Sequence, residues 1–221
     1  MAEPECVEVT TGDNPLGSVI WLHGLGADGH DFEPVVPELG LPDDLPLRFV
    51  FPHAPVRPVT INGGMAMRAW YDIVSLDAEG RADEEGVHDS TAMLEALVER
   101  EQQRGIESRK IVVAGFSQGG AIAINAALRS ERQLAGLMAL STYLALPAAL
   151  DNIMVSRDLP VFMAHGTFDP MVLPQWGRST ADQLREAGFT VEWQDYPMAH
   201  AVCLEEIQDI SRWLRSVYES S

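Results

Sequence analysis

Cysteine is nearly absent from this chain. Cys6 and Cys203 stand near opposite ends of its 221 residues, and neither belongs to a Cys-x-x-Cys pair. That argues against a disulfide framework or a zinc site. Basic residues are also scarce: 15 Lys and Arg stand against 33 Asp and Glu, a formal net charge of −18. Such a field repels phosphate backbones and anionic lipid headgroups, so no nucleic-acid partner is expected. No apolar run approaches the ~18 residues of a membrane span, and no stable membrane insertion is expected. The opening MAEPECVEVTTGDNP carries acids and prolines where a secretory signal has basic and then apolar residues. A reducing cytoplasm is the expected location. Helix-ligand spacing of the H-x-x-x-H type does not occur either, which argues against a metal site.

What is present suits one well-filled core. Hydrophobic residues make up 46% of the chain and charged residues 22%, ordinary for a globular protein. With no repeat, low-complexity tract or linker, residues 1–221 are expected to form a single domain. Short apolar runs at residues 19–22, 49–51, 111–114, 137–140 and 161–164 predict strands buried on both faces. Residues 191–196 predict a further strand. Between them lie helices. Asp89 or Ser90 is the expected cap of one that buries Met93, Leu94, Leu97 and Val98 and is closed by Gly105. The C-terminal helix sets Leu204, Ile207, Ile210, Leu214 and Val217 on one stripe, with Glu205, Glu206, Asp209 and Arg212 outside it. Strand–helix alternation implies a doubly wound α/β sheet, mostly parallel, with helices on both faces. Residues 52–70, rich in proline and glycine, break the rhythm and predict a long ordered excursion, neither helix nor strand, of the kind that overhangs a site.

The strongest chemical signal is Gly115-Phe116-Ser117-Gln118-Gly119, a G-x-S-x-G element between a predicted strand and a predicted helix of small residues. That context is what a nucleophile elbow requires: a sharp turn with small flanks that lifts the serine hydroxyl above the sheet at a helix N-terminus. His23-Gly24-Leu25-Gly26 follows an earlier strand. Leu25 and Gln118 are therefore the expected backbone N–H donors of an oxyanion hole, and His23 is expected to hold its loop by a side-chain hydrogen bond. In a Ser…Asp…His order only His165 and His200, of six histidines, follow Ser117. Asp169 lies just past a strand and His200 follows it, so these are the expected acid and base. Asp195 competes as acid, but it stands on the strand that delivers His200. His165 is expected to stabilise a loop.

These motifs resemble those of the phospholipase/carboxylesterase family of α/β-hydrolases, which includes bacterial carboxylesterases and acyl-protein thioesterases. The resemblance runs the full length: HGLGAD from His23, PHAP from Pro52, MRAWYD from Met67, GFSQGG from Gly115, HGTFDP from His165, and Met198-Ala199-His200. It implies an α/β-hydrolase fold without a large cap domain, no cofactor, and hydrolysis of short- to medium-chain acyl esters, acyl thioesters or lysophospholipids. It also makes a homodimer plausible. Two departures stand out. Pro197 occupies a place where glycine often precedes the Met-x-His element, and the segment from Pro170 to Pro174 is one residue longer than the usual D-P-x-V-P. Competing readings are a lactone hydrolase or small peptidase of the same fold, and a non-catalytic binding protein on that scaffold. An acyl pocket is expected between residues 52–70, through Ile61, Met65, Met67 and Trp70, and the loop after Asp169, through Met171, Val172 and Leu173.

Overall fold

A computed structural model describes residues 4–74 and 83–219. Its central sheet contains β1 (Cys6–Thr10), β2 (Gly17–Leu22), β3 (Leu47–Pro52), β6 (Ile111–Phe116), β7 (Gly136–Leu140), β8 (Val161–Gly166) and β9 (Val191–Tyr196). Their order is β1-β3-β2-β6-β7-β8-β9. Every neighbouring pair is parallel except β1 and β3, which are antiparallel. The order grows outward in both directions from β2 and β6. The carboxyl ends of those two strands therefore sit where the chain diverges, the usual crevice for a site in an open α/β sheet.

Alternation along each strand divides the core in two. Ile20, Ile111, Val113, Leu137, Ala139, Val161 and Met163 face one side, against the helices α2 (Glu84–Gln103), α3 (Gln118–Arg129) and α4 (Pro174–Glu186). Val19, Trp21, Val112, Ala114, Met138, Leu140, Phe162 and Ala164 face the other, against α1 (Val35–Glu38) and α5 (Leu204–Glu219). Both faces are covered. This is why the central strands are apolar at successive positions rather than at every second one.

The structure corrects three local expectations. Residues 52–70 are not devoid of strand: β4 (Val56–Val59) and β5 (Met65–Arg68) pair antiparallel around a short 3₁₀ turn at Thr60–Asn62. Proline and glycine masked them in sequence, but Pro58 sits in a two-stranded ribbon where edges are open, and Gly63 and Gly64 supply the positive φ of the turn. α2 begins earlier than Asp89 or Ser90. Asp83 caps it, accepting from the Gly86 N–H, and Ser90 instead donates from inside the helix to the Trp70 carbonyl. The other end is as expected: Gly105 at φ 93° donates to Gln102 O and Ile106 donates to Glu101 O, a Schellman closure. Third, Glu206 is not on the outer face of α5. It is fully buried, neither carboxylate oxygen makes a well-formed hydrogen bond among the described residues, and burial pushes its pKa up to about 8.

Candidate active site

The turn from β6 into α3 builds the centre of the site. Ser117 adopts φ 54° and ψ −120°, a conformation that costs an L-residue about 1–3 kcal/mol and is held by its surroundings. Its N–H donates to Leu140 O at 2.9 Å, and its carbonyl accepts from Thr142 Oγ1 at 2.6 Å. The flanking glycines are sterically required. A Cβ on Gly115 would lie 2.3 Å from the Gly119 carbonyl, and one on Gly119 would lie 2.5 Å from the carbonyl oxygens of Leu22 and His23. Ser117 stands at the N-cap of α3 yet makes no capping bond. A serine there ordinarily gives its oxygen to the helix; here the strained backbone aims it elsewhere.

It is aimed at His200. Ser117 Oγ lies 2.9 Å from His200 Nε2, and His200 Nδ1 lies 2.6 Å from Asp169 Oδ2. The second carboxylate oxygen of Asp169 accepts the backbone N–H groups of Met171 and Val172 at 2.8 and 2.9 Å. Burial alone would raise the Asp169 pKa. Hydrogen bonds from His165, His200 and the Val172 backbone outweigh it and hold the carboxyl well below its usual range. A permanently ionised acid fixes the proton of His200 on Nδ1, which leaves Nε2 free to accept from the serine hydroxyl. Asp195, the rival acid, instead pairs with Arg178 on the outside of β9. His165 donates from Nε2 to Val172 O at 2.9 Å and bolts down the loop that carries Asp169.

The loop after β2 forms the facing wall. His23 is buried, donates from Nδ1 to Gly24 O at 2.7 Å and accepts the Ala54 N–H on Nε2 at 3.1 Å. One nitrogen must donate and the other accept, so the ring is neutral, and burial drives its pKa down to about 4. Gly26, at φ 78°, donates to Arg68 O at 2.8 Å. Among the described residues, the backbone N–H groups of Leu25 and Gln118 have no protein acceptor, and both residues border the cavity beside Ser117. Two such donors can receive an oxyanion.

That cavity measures about 520 Å³, the size of a small-molecule site. Ile61, Met67, Ile73, Phe116, Met171 and Val172 give it an apolar lining, with Tyr143 and Trp176 at its aromatic side. Met65, Trp70 and Leu173 are not among its lining residues. Met65 points to solvent from the ribbon, 64% exposed, and Leu173 caps α4. Trp70 is buried behind the loop from His23 to Gly26, its indole N–H donating to His23 O at 2.8 Å. Closeness to Met67 in sequence does not bring it into the cavity, because its side chain turns back to bond the His23 carbonyl.

Other residues of the site are not among those expected from the sequence. Tyr143 lies just past the carboxyl end of β7, a position where any α/β sheet collects ligand contacts, so strand prediction alone could have flagged it. Trp176, in the first turn of α4, carries no local signal. Gln118 contributes more than its backbone N–H. Its side chain joins the elbow to residues 70 and 71, accepting from Trp70 N–H and donating to Tyr71 O. Among the described residues no cluster of three or more His, Cys, Asp or Glu is placed to hold a metal ion, and no helix is long and apolar enough to cross a membrane.

Comparison with known proteins agrees with this architecture. Residues 4–218 match the phospholipase/carboxylesterase family model. The chain is 39% identical over 208 residues to acyl-protein thioesterase 1 of Neurospora crassa, covering 89% of this chain and 85% of that one. It is 38% identical to the Cryptococcus neoformans protein of the same name, covering 94% and 95% of the two chains. Among solved structures, Arabidopsis thaliana SOBER1 superposes with a TM-score of 0.85 at 29% identity, over 91% of this chain and 98% of that one. Zea mays acyl-protein thioesterase 2 superposes with 0.81 at 27% identity, over 97% and 99%. The fold is that of the α/β-hydrolases, and the chain belongs to the phospholipase/carboxylesterase family.

Proposed function

We propose that this protein is a serine hydrolase that cleaves acyl esters and acyl thioesters through an acyl-enzyme, with Ser117 as nucleophile, His200 as base and Asp169 as its orienting acid. The observation that carries the reading is the continuous chain from Ser117 Oγ to His200 and on to Asp169, opening beside two unengaged N–H donors and an apolar cavity. His200 Nε2 takes the serine proton as Oγ bonds to the acyl carbon, and the carbonyl oxygen takes up negative charge against Leu25 and Gln118 N–H. The C–O or C–S bond then breaks, and His200 returns the proton to the departing oxygen or sulfur. Water repeats the attack, activated by the same imidazole, and releases the carboxylic acid and free Ser117. Every step is proton transfer and acyl transfer, so the chemistry balances without a cofactor.

The thioesterase names of the relatives support a thioester as well as an ester substrate, since both leave from the same tetrahedral centre. A cytoplasmic setting suits the two cysteines, which form no disulfide with each other. The test is direct. A fluorophosphonate should label Ser117 in a one-to-one ratio and abolish hydrolysis of p-nitrophenyl butyrate and of a butyryl thioester in parallel. Labelling elsewhere, or loss of one activity without the other, would remove Ser117 from its role.

A further inference from the structure

The cavity beside Ser117 holds one carboxylate that hydrolysis does not use. Asp31 lines it at the rim, and no lysine or arginine is among the lining residues. Its backbone N–H donates to Asp28 O, but its side chain has no ion pair or hydrogen bond among the described residues. Partial burial raises its pKa, and the neighbouring carboxylate of Asp28 raises it further. An ionised group in that condition gains from any cation brought beside it.

Its position on the wall matters. The next residue, Phe32, stacks on Trp21 at 4.7 Å and lies 5.7 Å from the ring of Phe116. Phe116 in turn lies 4.7 Å from the imidazole of His200. Asp31 therefore adjoins, through its chain neighbour Phe32, the aromatic cluster that packs against His200. A leaving oxygen or sulfur must lie close to His200, because it receives its proton from Nε2. Asp31 lines the same cavity as Ser117 and His200, so a substituent on the leaving atom that extends into this cavity can come beside its carboxylate. Phe116, Tyr143 and Trp176 border the same cavity, and aromatic rings attract a quaternary ammonium.

Resting on the hydrolase reading above, we propose that Asp31 is a specificity determinant that favours esters and thioesters whose leaving group carries a cation, over neutral and anionic ones. The residue acts on the alcohol or thiol half of the substrate, so it is independent of acyl length. An exposed carboxylate facing a cation across a partly apolar surface gives about a fivefold preference, and more where water is displaced.

The experiment compares butyrylcholine with 3,3-dimethylbutyl butyrate, which has the same shape without the charge. Each kcat/KM is divided by the ester's rate of alkaline hydrolysis and read at low ionic strength. The choline ester should be preferred about fivefold. Asp31→Asn should bring that ratio close to one, whereas Asp44→Asn, an equal charge change on an exposed turn outside the cavity, should leave it in place. Adding salt to the unmodified protein should shrink the ratio in the same direction, as screening demands. A ratio near one in the unmodified protein, with the neutral ester readily cleaved, overturns the inference and leaves the hydrolase reading standing. So does a preference that survives Asp31→Asn. Failure to cleave either ester, by protein that still hydrolyses p-nitrophenyl butyrate, likewise overturns the inference and leaves the hydrolase reading standing.

Discussion

The backbone N–H of Trp70 donates to the side-chain carbonyl of Gln118 across 2.8 Å, and the amide of the same glutamine donates to Tyr71 O at 2.7 Å. One side chain thus ties the start of α3 to the segment behind the oxyanion loop. The loop itself hangs on that segment through Arg68 O and the Trp70 indole. The backbone N–H of Gln118 is set by the helix, but the distance between it and the Leu25 N–H depends on this brace.

Replacing Gln118 with alanine should therefore lower activity although its backbone donor remains. The two orphaned main-chain groups should cost about 1–3 kcal/mol each. A slackened oxyanion hole should cost roughly ten- to a hundredfold in kcat, as sub-ångström misplacement does elsewhere. Kinetics with p-nitrophenyl butyrate alongside thermal melting would check both. A destabilised variant with undiminished kcat would show that the brace supports the fold and not the site.

Ser117→Ala and His200→Ala should each reduce kcat by about a thousandfold or more, with Asp169→Asn close behind. The double variants should be scarcely worse than the singles, because the three groups act on one proton. Asp195→Asn should lose little, since its partner is Arg178 on the outer side of β9. An active Asp169→Asn with a dead Asp195→Asn would reverse the assignment of the acid.

His23 makes folding sensitive to acid. Its pKa falls from 6.5 to about 4 on burial, so between those values the unfolded chain binds the proton and the folded chain does not. Its contribution to stability is complete above pH ~6.5 and declines as pH falls toward 4, by about 3 kcal/mol over that window. Urea melts of the parent and of His23→Gln should diverge in slope there, the variant losing less stability with falling pH. Parallel profiles would mean that the ring is not held neutral.

Glu206 works in the opposite direction. Its pKa rises from 4.5 to about 8, so here the folded chain keeps the proton that the unfolded chain has lost. Its contribution to stability is greatest below pH ~4.5, declines as pH rises through 8, and levels off beyond, a loss of roughly 5 kcal/mol at most. Glu206→Gln should match its parent near pH 5 and exceed it at pH 9. Equal melting midpoints at pH 9 would show that the carboxylate finds compensation.

How much of this was legible in the sequence depends on the range of the interactions. The meeting of Ser117, Asp169 and His200 could be foreseen because each follows a strand of a parallel sheet, and all such ends converge on one edge. The loop-holding role of His23 follows from the Ser…Asp…His order, which leaves a histidine ahead of Ser117 outside the triad, whereas its neutral state shows only in its buried hydrogen bonds. Long-range contacts left no such trace. Glu206 looks like any exposed helix acid, and only the register of α5 against the sheet buries it. Trp70 reads as pocket wall because it stands near Met65 and Met67 in sequence, but it hydrogen-bonds backward into the support of the loop. The strands β4 and β5 were hidden by glycine and proline, residues that a ribbon with open edges tolerates and a central strand does not.

Acyl-chain preference follows from the cavity as it is lined. Ile61, Met67, Ile73, Met171 and Val172 surround the space beside Ser117, and methionines adapt to flexible chains. Each methylene transferred from water contributes about 0.8 kcal/mol, close to fourfold in binding. For p-nitrophenyl esters, kcat/KM should climb from acetate to butyrate or hexanoate and level off where the cavity ends. Val172 is the point to probe. It is buried, its N–H is held by Asp169, and its side chain borders the cavity. Val172→Trp should shift the optimum to shorter esters and spare acetate. Met65→Ala, on the exposed face of the ribbon, should leave the whole series unchanged, which separates wall residues from mere neighbours in sequence. A series that peaks at acetate and falls with every added carbon would mean that this cavity does not receive the acyl chain.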